Sequence, residues 1–358
     1  MSTTTFVIIS IIKSVAVIFI LLTAVAYSVW LERKVSAHIQ NRWGPTRVGP
    51  FGLLQPLADG VKFIFKEDLT QPHVYKTLYI AAPIIAVVFA ITSISVVPFG
   101  NWVTIPAISF GPLGSTDSVH TPLQITDLNI GLLLILGITS MGVYGVALAG
   151  WSSNSKYSLL GGLRASAQMV SYEISLGLSL IPVLIRAGTF SLRGIVDSQG
   201  GSFLGFIPRW NIFLLPFGTL AFFIYLISAY AETNRTPFDL PEAESELVAG
   251  YHTEYSAMKF AMFFMAEYAN MVTVACLATL LFLGGWHGPI FGPPILQALL
   301  PVGWFCLKVF FFMFLYVWVR WTLPRFRYDQ LMAFGWKVLL PTAIANLVVT
   351  ALVVALRA

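Results

Sequence analysis

Eight apolar stretches leave this chain few ways to fold. They run at about 6–31, 76–98, 127–150, 158–187, 211–231, 256–284, 300–321 and 335–357. A helix rises 1.5 Å per residue, so crossing a hydrocarbon core about 30 Å thick takes about 20 residues. All eight stretches are too long for barrel strands, and lipid offers no water to satisfy an open backbone, so helices remain. Charge content agrees: Asp, Glu, Lys and Arg make up 10% of the 358 residues, against roughly 25% in soluble domains. The expectation is an all-α polytopic membrane protein, residues 1–358 forming a single integral membrane domain with eight transmembrane helices.

The first stretch begins without a basic region and ends in Trp30-Leu31-Glu32-Arg33-Lys34 rather than a small-residue cleavage site, so it reads as a retained span. Connections 1, 3, 5 and 7 with their flanks hold fifteen of the twenty-one Lys and Arg residues. The even connections and the C-terminus hold Arg186, Arg193, Arg209 and Arg357, and Lys13 and Lys308 lie inside spans. The positive-inside rule then puts the odd connections in the cytoplasm and both termini on the other side, periplasmic if the membrane is a bacterial inner membrane. These basic residues adjoin spans instead of forming an aromatic-interleaved patch, which argues against nucleic acid as a partner. Cys276 and Cys306 lie in spans without a neighbouring cysteine, and the five histidines never fall at metal-ligand spacing, so no metal, flavin or iron–sulfur site is expected on this chain.

Polar residues concentrate in two places. In the first connection, Leu53, Leu54, Leu57, Val61, Ile64 and Phe65 recur at helical spacing with Asp59, Lys62 and Lys66 between them, as in an amphipathic helix lying on a membrane surface. Two roles remain open for it: a packing helix sealing a gap in the bundle, or a lid over a cavity for an apolar ligand. The second place is residues 230–270, which carry seven of the sixteen acidic residues: Glu232, Asp239, Glu242, Glu244, Glu246, Glu254 and Glu267. Asp239 followed by Pro241 and Glu242 reads as a capping-box start for a short helix in the fifth connection. Glu232 and Glu267 flank that connection at membrane depth, and Glu173 lies two to three turns inside the fourth span. A carboxylate at that depth costs roughly 2.5 to 3.5 kcal/mol on insertion scales, so a functional role, such as a proton relay, is the default reading. Arg164, near the cytoplasmic face, reads as a snorkelling anchor.

Four stretches carry a family resemblance: ETNRTPFDLPEAESELVAGYHTEYS with MAEY after it, GPFGLLQPLADGVKFIFKED, GWSSNSKYSLLGGLRASAQMVSYE and LPRFRYDQLM. Together, within Glu32 to about Trp336, they resemble the H subunit of proton-translocating NADH-quinone oxidoreductase, the family called NADH dehydrogenase subunit 1 in mitochondria. The resemblance implies a respiratory-chain membrane subunit at the junction with a hydrophilic arm. Its odd connections would hold quinone-reducing and iron–sulfur subunits, and small membrane subunits, antiporter-like subunits and lipid would surround it. Quinone, ubiquinone included, would be the substrate, threading a tunnel beside Glu32, Arg33, Asp59, Glu67, Arg235, Asp239, Glu242, Glu244 and Glu246. Proton transfer would involve Glu173, Glu232 and Glu267, while the redox centres belong to neighbouring subunits. The membrane subunits of energy-converting hydrogenases share this plan and are the nearest alternative. A stand-alone proton-coupled transporter is a second, disfavoured because no paired halves with broken helices are visible.

Overall fold

A computed structural model describes residues 3–105, 119–203, 207–239 and 248–357. Its helices are α1 (Thr3–Ile39), α2 (Gln55–Phe65), α3 (Lys76–Ser93), α4 (Gly131–Ser152), α5 (Lys156–Ala187), α6 (Leu192–Asp197), α7 (Phe217–Glu232), α8 (Ala257–Phe282), α9 (Pro294–Thr322), α10 (Tyr328–Phe334) and α11 (Leu340–Arg357). Among the described residues, seven helices are long and apolar enough to cross a membrane, the last running through α10, a π-helical turn at Gly335–Leu339 and α11. The chain is thus an all-α polytopic membrane protein.

Several spans differ from their expected bounds, α9 for instance beginning at Pro294 rather than 300, and two of the differences bear on the site. α1 continues past the apolar run to Ile39, so Glu32 and Arg33 sit on a helix rather than in a connection. The fifth apolar stretch is helical only over the 16 residues of α7, because Pro216 stands at its N-cap and the preceding Asn211–Phe213 forms a 3-10 turn. The expected short helix after Asp239 lies outside the described residues. The Gly/Pro-rich second connection contains an antiparallel pair, β1 (Trp102–Ile105) with β2 (Val119–Pro122).

Helix packing follows from small residues and aromatic plugs. α3 lies between α4 and α8, α5 contacts α4, α7 and α11, and α1 lies against α8 and α9. Gly150 and Gly162 let α4 and α5 approach until a Cβ on Gly150 would meet Gly162 Cα at 3.0 Å. Tyr79, Tyr172, Tyr225, Phe282 and Phe312 fill the centre. The outward faces of α1 and α9 carry Ile11, Val15, Phe19, Phe310 and Phe311 exposed, as lipid-facing surfaces do.

The two lysines inside spans both find acceptors locally. Lys13 donates to Thr121 Oγ1 at 2.5 Å and to the Pro122 carbonyl at 2.9 Å, drawing α1 to the β2 strand. Lys308 donates to the carbonyls of Leu283, Gly285 and His287 at 2.7, 2.8 and 2.7 Å, and its ammonium lies 4.3 Å from the centre of the Trp210 ring. It thereby satisfies carbonyls in the turn that ends α8, an end buried against α9.

Candidate functional site

The acidic connection is gripped before it leaves the membrane. Gln168 on α5, wholly buried, donates to the carbonyls of Ala231 and Phe238, both at 2.8 Å, and so fixes the turn between α7 and Asp239. On the other side the Phe326 amide donates to the Pro237 carbonyl at 3.1 Å while the Phe238 and Phe326 rings stack. Where the connection returns, Gly161 of α5 faces Gly250 so closely that a Cβ would stand 2.7 Å from Gly250 Cα. Tyr255 stacks on Tyr79 with centroids 4.1 Å apart and donates to the Tyr79 carbonyl, and the Tyr79 hydroxyl donates to the Glu254 carbonyl at 2.6 Å. Burial pushes the Tyr255 phenol up to about 12, so it is a fixed donor at neutral pH.

Between these grips a charged network forms from four segments. Arg235, buried, pairs with Glu267 of α8 through Nε and with Glu32 of α1 through Nη1 at 3.5 Å. Arg320 of α9 pairs with the other Glu32 oxygen. Tyr268 donates to Glu32 Oε2 at 2.5 Å, and its ring lies under the Arg235 guanidinium at 4.4 Å. Two carboxylates and two guanidiniums thus neutralise one another, which buried charges require.

A second cluster adjoins this network. Glu232 and Glu267 wall one cavity of about 40 Å³, with Thr233, Asn234 and Asn270 among its polar lining. A cavity of that size with several polar side chains on its wall admits water, although apolar residues line the rest of it. Glu173 is within electrostatic reach of Glu232 and accepts a hydrogen bond from Ser140 of α4. Glu267 therefore belongs to both clusters: its carboxylate pairs with Arg235 and also borders the cavity that Glu232 enters.

The remaining sequence-expected residues spread outward. Arg33 and Asp59 join α1 to the amphipathic α2 by a 2.6 Å ion pair, reinforced by Gln55 at 2.9 Å. Asp239 is buried and pairs with Arg325 at 3.5 Å. Glu67 is exposed just beyond α2. Glu242, Glu244 and Glu246 lie outside the described residues. Arg164, expected as an anchor, stands over the Tyr328 ring at 5.6 Å. Reading the sequence does not single out Gln168 or Tyr268, and it does not pair Arg320 with Glu32. Tyr268 carried a signal, standing next to Glu267, whereas nothing local marks Arg320 as the partner of Glu32, 288 positions away. Among the described residues no three His, Cys, Asp or Glu side chains converge as a metal site needs.

Fold and site together define a multi-pass membrane protein with ionised side chains from several helices joined in its interior. The model of the NADH dehydrogenase family matches residues 12–351. Among curated proteins, the chain is 70% identical over 354 residues to the second NADH-quinone oxidoreductase H subunit of Koribacter versatilis, covering 98% of each chain. It is 51% identical to the first H subunit of the same enzyme in Solibacter usitatus, again over 98% of each, and 50% identical to the first H subunit of Geobacter sulfurreducens, over 98% of this chain and 96% of that one. The chain belongs to the NADH dehydrogenase family that these H subunits represent.

Proposed function

We propose that this chain is the membrane subunit of a proton-translocating NADH:quinone oxidoreductase in a bacterial inner membrane, forming much of the quinone chamber and coupling quinone reduction to proton movement. The observation that carries the coupling is the double role of Glu267. It is paired with Arg235, which also holds Glu32, and it borders the cavity that Glu232 enters.

Glu32, Arg33, Asp59, Glu67, Arg235 and Asp239, with Glu242, Glu244 and Glu246, face the quinone tunnel in this reading, with α2 at its mouth. Headgroup chemistry and electron delivery belong to hydrophilic partner subunits on the cytoplasmic side, against the odd connections. Protons pass among Glu267, Glu232 and Glu173 and on to neighbouring membrane subunits. An ion pair on one side of Glu267 and a water-admitting cavity on the other let a change of charge in the chamber alter what Glu267 offers to Glu232. Carboxylates are rare inside spans and mark such relays.

The test replaces Glu173, Glu232 or Glu267 by Gln in the assembled complex and measures quinone-linked NADH oxidation and proton uptake into vesicles. A normal amount of complex with either activity reduced at least tenfold supports the reading. Full oxidation with full translocation in all three variants overturns it, and loss of assembly with normal turnover in the residual complex reduces the acids to a structural role.

A further inference from the structure

α7 occupies the fifth apolar stretch but is short for a membrane span. Its 16 residues rise about 24 Å at 1.5 Å each, against a hydrocarbon thickness of about 30 Å. The missing length is at its N-terminal end. There the chain runs as the 3-10 turn Asn211–Phe213 and an irregular Leu214–Pro216 before the helix begins at Phe217. Non-helical backbone at membrane depth is tolerated where it is buried in protein or lines a cavity. Here it lines one: a half-open groove of about 390 Å³ between the ends of α5 and α11. Pro182, Val183, Leu214, Leu215, Phe217 and Val354 wall it. Its size falls within the roughly 300 to 1,000 Å³ of small-molecule sites.

One end of this apolar groove is cationic. Arg186, on the last turn of α5, lines it and donates from Nη1 to Asn211 Oδ1 at 2.6 Å. Asn211 is itself buried and fixed, donating from Nδ2 to the Leu281 carbonyl at 2.6 Å and from its amide to Gln199 Oε1 at 3.2 Å. The guanidinium is therefore held in one place, and Asn211 occupies one of its five N–H donors. Arg209 stands within electrostatic reach of it. The even connections and the C-terminus together contain four Lys or Arg residues, and one of them, Arg186, lines this groove. No Asp or Glu among the described residues forms an ion pair with Arg186.

We propose that this groove is a binding site for an anionic membrane phospholipid, with one acyl chain against Leu214, Leu215, Phe217 and Val354 and the phosphodiester on Arg186. The match is of shape and charge. The apolar trough opens to the bilayer where α7 stops short, and a guanidinium at its head suits the bidentate geometry of a phosphate. A helix of a neighbouring subunit would cover the same apolar wall but would need a carboxylate placed opposite Arg186, whereas a phospholipid carries apolar chain and anion in one molecule. The lipid fills the space that the absent turns of α7 would have taken and shields the backbone of Leu214–Pro216, so the bundle stays closed where a span is too short.

The test uses native membranes expressing the tagged full chain among its natural neighbours. Two photoreactive phospholipids with the diazirine on the acyl chain are compared, phosphatidylglycerol and phosphatidylcholine, and the labelled peptides are mapped after purification. The phosphatidylglycerol probe should label residues 214–217 and 350–354, and the phosphatidylcholine probe far less. Arg186→Gln should lower labelling there about tenfold, the equivalent of one charge-assisted hydrogen bond, while Arg186→Lys, which keeps the charge but not the planar fork, should fall between wild type and Arg186→Gln. Leu215→Trp, which fills the trough and leaves the guanidinium in place, should abolish labelling; it and Arg186→Lys carry the test if Arg186→Gln fails to accumulate. Equal labelling by both probes, or labelling indifferent to Arg186→Gln and Leu215→Trp, overturns the proposal. So does p-benzoylphenylalanine at Val354 crosslinking to a neighbouring protein instead of lipid.

Discussion

Replacing Tyr268 by Phe isolates one link of the charged network. The change deletes the hydroxyl that donates to Glu32 Oε2 at 2.5 Å and leaves the ring beneath Arg235, 4.4 Å from the guanidinium. Tyr268 is 5% exposed, so water cannot substitute for the lost donor. A buried hydrogen bond to a charged group is worth about 1.5 to 3 kcal/mol. At about 1.4 kcal/mol per decade, thermal inactivation of the assembled complex should be about ten to a hundred times faster if the bond breaks on the way to inactivation. The diagnostic measurement is a double-mutant cycle with Glu32→Gln, reading the inactivation rate at one fixed temperature. Because the two side chains touch, Tyr268→Phe should cost markedly less in the Glu32→Gln background, with a coupling of at least about 0.5 kcal/mol. Additive effects, within about 0.3 kcal/mol, would show that Tyr268 stabilises the protein through its ring alone and that the hydroxyl does not hold Glu32.

Four further outcomes are expected. Arg33→Ala breaks an ion pair whose partners are 48% and 25% exposed, so it should change stability by less than about 1 kcal/mol while loosening α2, seen as faster proteolysis between α1 and α3. Gly161→Ala drives a methyl into the Gly250 backbone; overpacking of this kind costs about 1 to 3 kcal/mol and should raise hydrogen exchange at Gly250–Tyr255. Lys308→Met leaves the carbonyls of Leu283, Gly285 and His287 without their donor; a loss of more than about 3 kcal/mol is expected, at about 1 to 3 kcal/mol per orphaned buried group, read as loss of folded protein in detergent. His287 lies in the connection after α8, where burial holds its pKa below the ordinary 6.5 despite the Val196 carbonyl and Asp197, with Lys308 adding to the effect. Its neutral form is the folded one, so stability is full above about pH 6.5 and declines as pH falls through that value toward the lower folded pKa. A flatter acid limb in His287→Gln checks this.

The sequence made the helices legible because lipid imposes a length and composition that no local competition overrides. α2 was equally legible, since the spacing from Leu53 to Phe65 is a local property of one helix. The limits of α1 and α7 were not. α1 continues to Ile39 on charged residues that hydropathy discounts, and α7 begins only after Pro216, although the residues before it are as apolar as a span. Site residues divided along the same line. Glu173, Glu232 and Glu267 stood out because a carboxylate in an apolar run is conspicuous by itself. Other residues of the site were hidden, because Gln168, which holds the Ala231 carbonyl, and Tyr268 and Arg320, which hold Glu32, acquire meaning only through contacts 63, 236 and 288 positions distant in the chain. Pairing of that range is a property of helix packing, which no window of sequence contains.

The pairing also bears on why the network would respond to its surroundings. Glu32 is shared by Arg235, Arg320 and Tyr268, and Arg235 is shared by Glu32 and Glu267, so neither has a single partner. A fully exclusive pair would stay closed, since parting two buried charges costs several kcal/mol. In a shared arrangement Arg235 can give up part of its contact with one carboxylate and regain it from the other, and the cost of each intermediate geometry falls accordingly. Arg235 sits on the segment that Gln168 and Phe326 clamp, just before the acidic connection continues beyond Asp239. Displacement of that segment would therefore shift Arg235 between Glu32 and Glu267, and with it the charge felt at the cavity shared by Glu267 and Glu232. Arg235→Lys distinguishes this from static neutralisation. Lys retains the charge but not the planar fork that reaches both acids. It should preserve assembly while lowering turnover, and wild-type turnover in Arg235→Lys would leave the guanidinium a purely neutralising role.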